Sequence, residues 1–389
     1  MAPHRVVIAG GGIAALEAAI ALHTISAYRV AITLVSPNDS FFYRPLLVGE
    51  PFGLGKPNKY KLEEICDAHD VTFVNSSVIA VDVDDYRIKL SDGGELAYDT
   101  LIVAAGARMV PTFEFGVTFD LETAPEEFAE LLEDLGEGLA PRIAIVVPES
   151  VHWTLPAYEI ALMIAEWGKT HRDDQLSITL ITHEAKPLGL FGALISEQVA
   201  TLLDAAGITV QRALHSDMLS HTALRASGEW VSTDRVVALP HISGLGIPGL
   251  PCDQNGFIPV DDFGRVTGVA DVYAAGDVTT SPIKQGGLAA QLADVASRHL
   301  AASLDVDRRQ LPQRRFKPIL RAVLQTADGP LYLRAELDSV DATSTITDQP
   351  LWWPPSKLSS RWLAPYLSLL ESEQRLSEGL PPTRATASN

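Results

Sequence analysis

"RVVIAGGGIAALEAAIAL", residues 5–22, decides the fold. An apolar run with strand character meets three glycines and passes at once into a run with helix character. The spacing is Gly10-x-Gly12-x-x-Ala15. Gly10 permits a sharp turn, Gly12 lets a pyrophosphate approach the backbone, and the small Ala15 lets helix and strand pack closely. Ile13 and Ala14 open the helix, whose first N–H groups and positive dipole end suit a phosphate. A glycine pattern alone says little, but this one has a strand before it and a helix after it.

A second strand, "VAITLVS" at 30–36, follows at the expected distance. Its end usually carries an acid for the adenosine ribose. This chain has Ser36 there, which leaves the ribose to the Ser36 hydroxyl or to Asp39. "YDTLIVAAGAR", residues 98–108, reads as a strand ending in Ala104-Ala105-Gly106. "VADVYAAGDVTTSPIKQGGLAAQLADVASRHL", residues 269–300, gives a strand ending in Gly276-Asp277, then a loop and an Ala-rich helix. In this order the three segments resemble the FAD oxidoreductases built from two dinucleotide-binding domains. The resemblance implies FAD as cofactor, with Asp277 on its ribityl chain. The helix opening at Gly286 and Gly287 would point its N-terminus at the pyrimidine edge, where reduction builds negative charge.

"SPNDSFFYRPLLVGE", residues 36–50, narrows the likeness. A Tyr-Arg-Pro-Leu-Leu run just after the second strand is similar to type II NADH dehydrogenases and sulfide:quinone oxidoreductases. That places Arg44 and Pro45 near the FAD phosphates or the flavin edge. Lys284 and Gln285 of "IKQGGLAAQLAD" would reach the flavin, and Val78 joins the cofactor wall. The implied fold class is α/β, with two Rossmann-like three-layer domains, the second inserted in the first, and a small C-terminal α+β region. The expected division is an FAD domain at 1–110 and 240–305, a second domain at 111–239, and a cap or interface region at 306–389. The likeness covers roughly residues 4–300.

The second domain begins with "VVPESVHWTLPAYEIA", residues 146–161, between a strand at 143–147 and a helix at 156–167. A strand at 177–182 and a helix at 195–206 continue the pattern. Type II NADH dehydrogenases carry G-x-G-x-x-G at this turn; here His152, Thr154 and Ala157 hold the glycine positions, in a loop about four residues longer. Side chains there block a pyrophosphate from the backbone. "PAYE" matches the sulfide:quinone group better, yet that group's redox cysteine maps to Trp153, and its C-terminal cysteine has no counterpart after Lys284. Glu159 survives from both relatives. Beside Trp153 and Tyr158 it suits proton transfer at the flavin, or it is an ordinary acid in a first helical turn. Glu159 and Lys284 are the candidate catalytic residues.

With 30 basic and 49 acidic residues the chain carries −19, which argues against nucleic acid or an anionic membrane as partner. Cys66, expected on a surface helix, and Cys252, in a loop, have no metal or CxxC spacing. The histidines show no metal spacing either. No leader segment is expected before the first strand, and no stretch approaches the ~18 apolar residues of a membrane span. A cytoplasmic protein is the resulting expectation. "FKPILRAVLQTADGPLYLRAEL", residues 316–337, reads as two strands about a turn. The Trp-rich segment from 351 is expected to be a buried cap or homodimer surface rather than a peripheral membrane contact. There Pro365 breaks the helix, and Glu371 and Glu373 stand where a basic face would be. Residues 377–389 read as a frayed tail.

The sequence therefore points to an FAD-dependent oxidoreductase passing two electrons from a small-molecule or protein donor to a quinone-like or protein acceptor. Two alternatives stay open. One is an NAD(P)H-dependent flavin reductase with an atypical nucleotide site. The other is a flavin-binding interaction protein with marginal turnover.

Overall fold

A computed structural model describes residues 2–26, 29–55, 57–119, 124–171, 175–304, 314–337 and 343–377. In chain order the elements that build the site are β1 (His4–Ala9), α1 (Ile13–Ser26), β2 (Val30–Ser36), β3 (Val71–Asn75) and β4 (Thr100–Val103). Then come β5 (Val117–Thr118), α2 (Ala124–Gly136), β6 (Arg142–Val146), α3 (Leu155–His171), β7 (Ser177–Thr182), α4 (Ala193–Ala205), β8 (Ile208–Arg212) and β9 (Arg235–Ala238). The chain continues with β10 (Val272–Ala274), α5 (Gly286–Ser303), β11 (Ile319–Thr326), β12 (Gly329–Glu336), β13 (Ser344–Thr347) and α6 (Leu363–Ser377).

Two parallel five-stranded sheets result. The first has the order β10-β4-β1-β2-β3, so β10 completes it only after the chain has built the whole second sheet. The second has the order β5-β9-β6-β7-β8. Both keep helices against buried, apolar strands, as parallel sheets require. In the first, β1 is Val6, Val7 and Ile8 with at most 3% exposure, and α1 packs against α5. The architecture is α/β with two Rossmann-like cores.

The C-terminal part adds the antiparallel sheet β11-β12-β13 and helix α6. The two expected strands are β11 and β12; β13 was not foreseen. Leu358, Leu363, Ala364 and Leu367 join the core of the first sheet, so this part is a cap. Pro365 does not break α6. It sits in the first turn, where its missing N–H has no intrahelical acceptor to lose. Glu371 is not a surface charge either: one oxygen accepts from Asn58 Nδ2 and Tyr60 Oη, both at 2.8 Å. Residues 378–389, most of the expected tail, lie outside the described residues.

Helix α3 starts earlier and ends later than expected, and α4 is shifted slightly. Cys66 corrects another expectation. Its helix, Leu62–Asp67, turns Leu62, Ile65 and Cys66 inward at i, i+3 and i+4. The thiol is buried, which pushes it up to about 11.

Candidate active site

The turn after β1 is built as its spacing implies. A Cβ on Gly10 would lie 2.1 Å from the Ala104 carbonyl oxygen, and its φ of +134° belongs to glycine. Gly11 is pressed against Ser36 Oγ and the Leu62 side chain. Gly12 meets nothing within 4 Å. Two glycines are therefore needed for packing, and the third leaves bare backbone facing open space. Ile13 and Ala14 continue that face, while Ala15 is fully buried beneath it and touches only protein.

The open space is a cavity of about 1030 Å³ between the carboxyl ends of the two sheets. Ser36 lies on its wall, with its Oγ accepting from Asn38 N at 3.2 Å. Asp39 does not reach the wall; its carboxylate accepts from Ser40 Oγ at 2.7 Å. Arg44, Pro45, Val78 and the Ala104–Gly106 turn close one side. Gly276 and Asp277 close the other, and Gly276 (φ +83°) sits tight against Ala14. The Asp277 carboxylate has no hydrogen-bond partner among the described residues. Burial pushes it above the ordinary carboxyl range, against the pull of Lys284 and Arg44.

Lys284 Nζ donates to the Asp277 carbonyl at 3.1 Å and to the Thr279 carbonyl, and lies 3.7 Å from the centre of the Phe257 ring. Burial lowers the amine to about 8, although Asp277 and Asp253 work the other way. Gln285 was expected to reach for the flavin. Its side chain instead turns back: Oε1 accepts from Leu288 N at 2.7 Å, capping α5, and Nε2 donates to the Arg321 carbonyl. Its backbone, with Gly286 and Gly287, leaves the start of α5 open to the cavity.

The far wall comes from the second sheet and the cap. Glu159, on the second turn of α3, is 2% exposed. It does not stand alone between Trp153 and Tyr158. Lys357 Nζ reaches its two oxygens at 2.7 and 3.0 Å, and Gln325 N donates to it at 2.9 Å. Tyr158 points away because successive helical residues are about 100° apart; its hydroxyl donates to Glu184 Oε2 at 2.7 Å. Lys357, which lines the cavity with Glu159, carries no signal in the sequence that would have paired them.

Between β6 and α3 the loop Val147–Thr154 folds over the ends of its own sheet. Val151 and Thr154 are buried, and Trp153 leans on Phe191 with ring centres 6.0 Å apart. Ser150 Oγ is hydrogen-bonded to His241 Nδ1, joining this loop to the segment after β9. His152 meets His183, just past β7, edge to face at 6.2 Å. In an open parallel sheet the crevice between β6 and β9 is where a dinucleotide would lie. Here side chains cross it.

The sequence profile described as "Pyridine nucleotide-disulphide oxidoreductase" matches residues 4–299. The chain belongs to that family. Like its family, it is an oxidoreductase and takes FAD. Rhodocoxin reductase of Rhodococcus erythropolis is 27% identical over 298 residues, covering 72% of this chain and 65% of that protein. Sulfide-quinone reductase of Aquifex aeolicus is 28% identical over 203 residues, 49% of this chain and 45% of that one. The chain thus spans less than two thirds of either relative. Among solved structures, the sulfide:quinone oxidoreductase of Aquifex aeolicus has a TM-score of 0.78 at 19% identity, covering 97% of this chain and 92% of that one. NDH2 of Plasmodium falciparum in complex with NADH has a TM-score of 0.68 at 14% identity, covering 96% and 95%. At such identities the likeness is one of fold.

The cavity fits the family's cofactor on two independent observations. Gly12 exposes backbone where a pyrophosphate needs it, and an unpartnered carboxylate, Asp277, waits along the same wall for hydroxyl donors. Among the described residues no group of three or more His, Cys, Asp or Glu could hold a metal. No helix among them is long and apolar enough to cross a membrane.

Proposed function

We infer that this oxidoreductase passes two electrons from a donor other than NAD(P)H in the standard pose to a quinone-like or protein acceptor. The observation that carries this reading is the Glu159–Lys357 pair, buried in the wall of the same cavity that begins at the glycine cradle. Bound FAD supplies the two-electron chemistry. Gly10 shapes the turn, and Gly12, Ile13 and Ala14 offer their backbone to the pyrophosphate. Ser36 takes the adenosine ribose, and Asp277 accepts from the ribityl hydroxyls. Arg44, Pro45, Val78 and Ala104–Gly106 enclose the cofactor, while the start of α5 faces the edge that gains charge.

A quinone accepting two electrons leaves as a hydroquinone only with two protons. The Lys357 ammonium carries exchangeable protons and Glu159 accepts from it, and the same cavity is lined by Ala322, Val323 and Leu358, a mixed surface suited to a flat apolar molecule with polar edges. Lys284, with an amine near neutrality, is a second proton group at the cofactor side. The −19 charge of the whole chain disfavours an acidic carrier protein as the acceptor. The test is reoxidation of the dithionite-reduced holoenzyme by a water-soluble benzoquinone across pH. Slowing by about ten-fold in Glu159→Gln, with FAD retained, supports the reading; an unchanged rate opposes it.

A further inference from the structure

Glu17 is a charged residue in the middle of an otherwise apolar helix, and its exposure is 0%. None of the cofactor chemistry above uses it. Its carboxylate leaves α1 on the side of the cap and collects three backbone donors. Oε1 accepts from Arg361 N at 2.9 Å and Trp362 N at 3.0 Å, and Oε2 accepts from Leu363 N at 2.7 Å. These are the amides at the start of α6, where a helix has donors and no acceptors of its own. Negative charge is favoured there.

The segment that Glu17 holds is the one that delivers Lys357. From Ser356 to Trp362 the chain crosses from the C-terminal sheet back to α1 as a strap without regular structure. The strap is pinned at Leu358, whose N–H donates to Tyr43 Oη at 2.9 Å, and again at 361–363 by Glu17. Between Ser356 and Tyr43 the Lys357 side chain, 16% exposed, enters the cavity to reach Glu159. Both pins come from beside the cofactor cradle: Tyr43 adjoins Arg44, and Glu17 lies one helical turn beyond the bare backbone at Gly12 and Ile13.

We propose that Glu17 is a positioning residue for Lys357, fixing the strap that carries the lysine amine from the cap to Glu159 in the active-site cavity. Both oxygens must accept, because three amides converge on them. A glutamine keeps one acceptor oxygen but turns an NH2 group on the third amide, leaving donors opposed. The strap would then open locally around Lys357, while α1, α5 and the first sheet, which form most of their core among themselves, remain folded.

The inference rests on the reading that Lys357 serves Glu159, and the experiment separates the two. Purified holoenzymes of the wild type, Glu17→Gln, Glu17→Ala and Lys357→Met are compared by amine acylation, read lysine by lysine by mass spectrometry. The same proteins are reduced with dithionite and reoxidised by benzoquinone across pH. In Glu17→Gln, acylation of Lys357 should rise by about five-fold or more, with half-buried Lys284 and exposed Lys169 unchanged. Its reoxidation should lose the same pH limb as Lys357→Met. Should Glu17→Ala prove insoluble, the glutamine variant decides alone. Unchanged acylation of Lys357 overturns the proposal, and so does an equal rise at Lys284, which reports general loosening. If Lys357→Met reoxidises with a wild-type pH profile, the role given to Lys357 fails even where the acylation result stands.

Discussion

Lys357 Nζ lies 2.7 Å from Glu159 Oε1 and 3.0 Å from Oε2, although the two residues are 198 positions apart in the chain. The pair joins the cap to the second sheet inside the cavity that also contains the glycine cradle. Breaking it from the lysine side leaves a buried carboxylate with only the Gln325 amide, a costly state for a charge. Glu159→Gln keeps the shape and removes the charge. It should slow turnover by about ten-fold or more while FAD stays bound. The check is the absorbance of retained flavin alongside the rate.

Asp277 offers a sharper test of the cofactor site. Asp277→Ala removes the unpartnered carboxylate and with it a charge-assisted hydrogen bond worth about 1.5–3 kcal/mol. Flavin retention on gel filtration should fall, with a dissociation constant weaker by roughly ten- to a hundred-fold. The apoprotein should keep its melting temperature, because the Asp277 carboxylate has no hydrogen-bond partner among the described residues and its carbonyl is unchanged by the substitution.

Gly10 and Gly12, in the turn after β1, should fail in different ways. Gly10→Ala forces a Cβ to 2.1 Å from the Ala104 carbonyl oxygen at a φ reserved for glycine, so stability should fall by about 1–3 kcal/mol or more. Gly12→Val meets open space. It should melt within about 2 °C of the wild type as apoprotein, yet bind FAD poorly, since the side chain occupies the pyrophosphate's approach. Thermal melts with and without added FAD distinguish the two outcomes.

Glu17 sets a pH dependence of stability. Burial raises its carboxyl from 4.5 to about 7, with the amides of 361–363 and the Ser360 hydroxyl pulling the other way. A raised carboxyl binds a proton in the folded state before the unfolded chain does. Its contribution is therefore greatest below about 4.5 and is lost as pH rises through about 7. Relative to Glu17→Gln, the wild type should lose melting temperature between pH 5 and pH 8. A constant difference across that range would show that the carboxyl does not titrate there.

Much of the geometry of the glycine turns is legible because its constraints are local. Gly10, Gly12 and Ala15 act within one strand-turn-helix, and Gly276-Asp277 announces itself at a strand end. The far wall was not legible. Lys357 reaches Glu159 only because the cap folds back across the first sheet, and nothing in "PPSKLSSRW" names its partner. Glu17 did leave a trace, a lone charge in "IAALEAAIAL", which an apolar buried helix tolerates only with partners. Gln285 misled in the opposite sense. Its position beside Gly286 and Gly287 suggested the flavin, but an N-cap and the Arg321 carbonyl claim its side chain.

The second sheet, though built like a dinucleotide domain, should not hold NAD(P)H in the standard way. Ser150 joined to His241 crosses the crevice, and Pro156 removes one donor from the start of α3. Anaerobic stopped-flow mixing of the holoenzyme with NADH and NADPH tests this most directly. Slow bleaching of the flavin absorbance is expected, rising linearly with nucleotide and without saturation up to about 1 mM. Fast, saturable reduction by either nucleotide would contradict it.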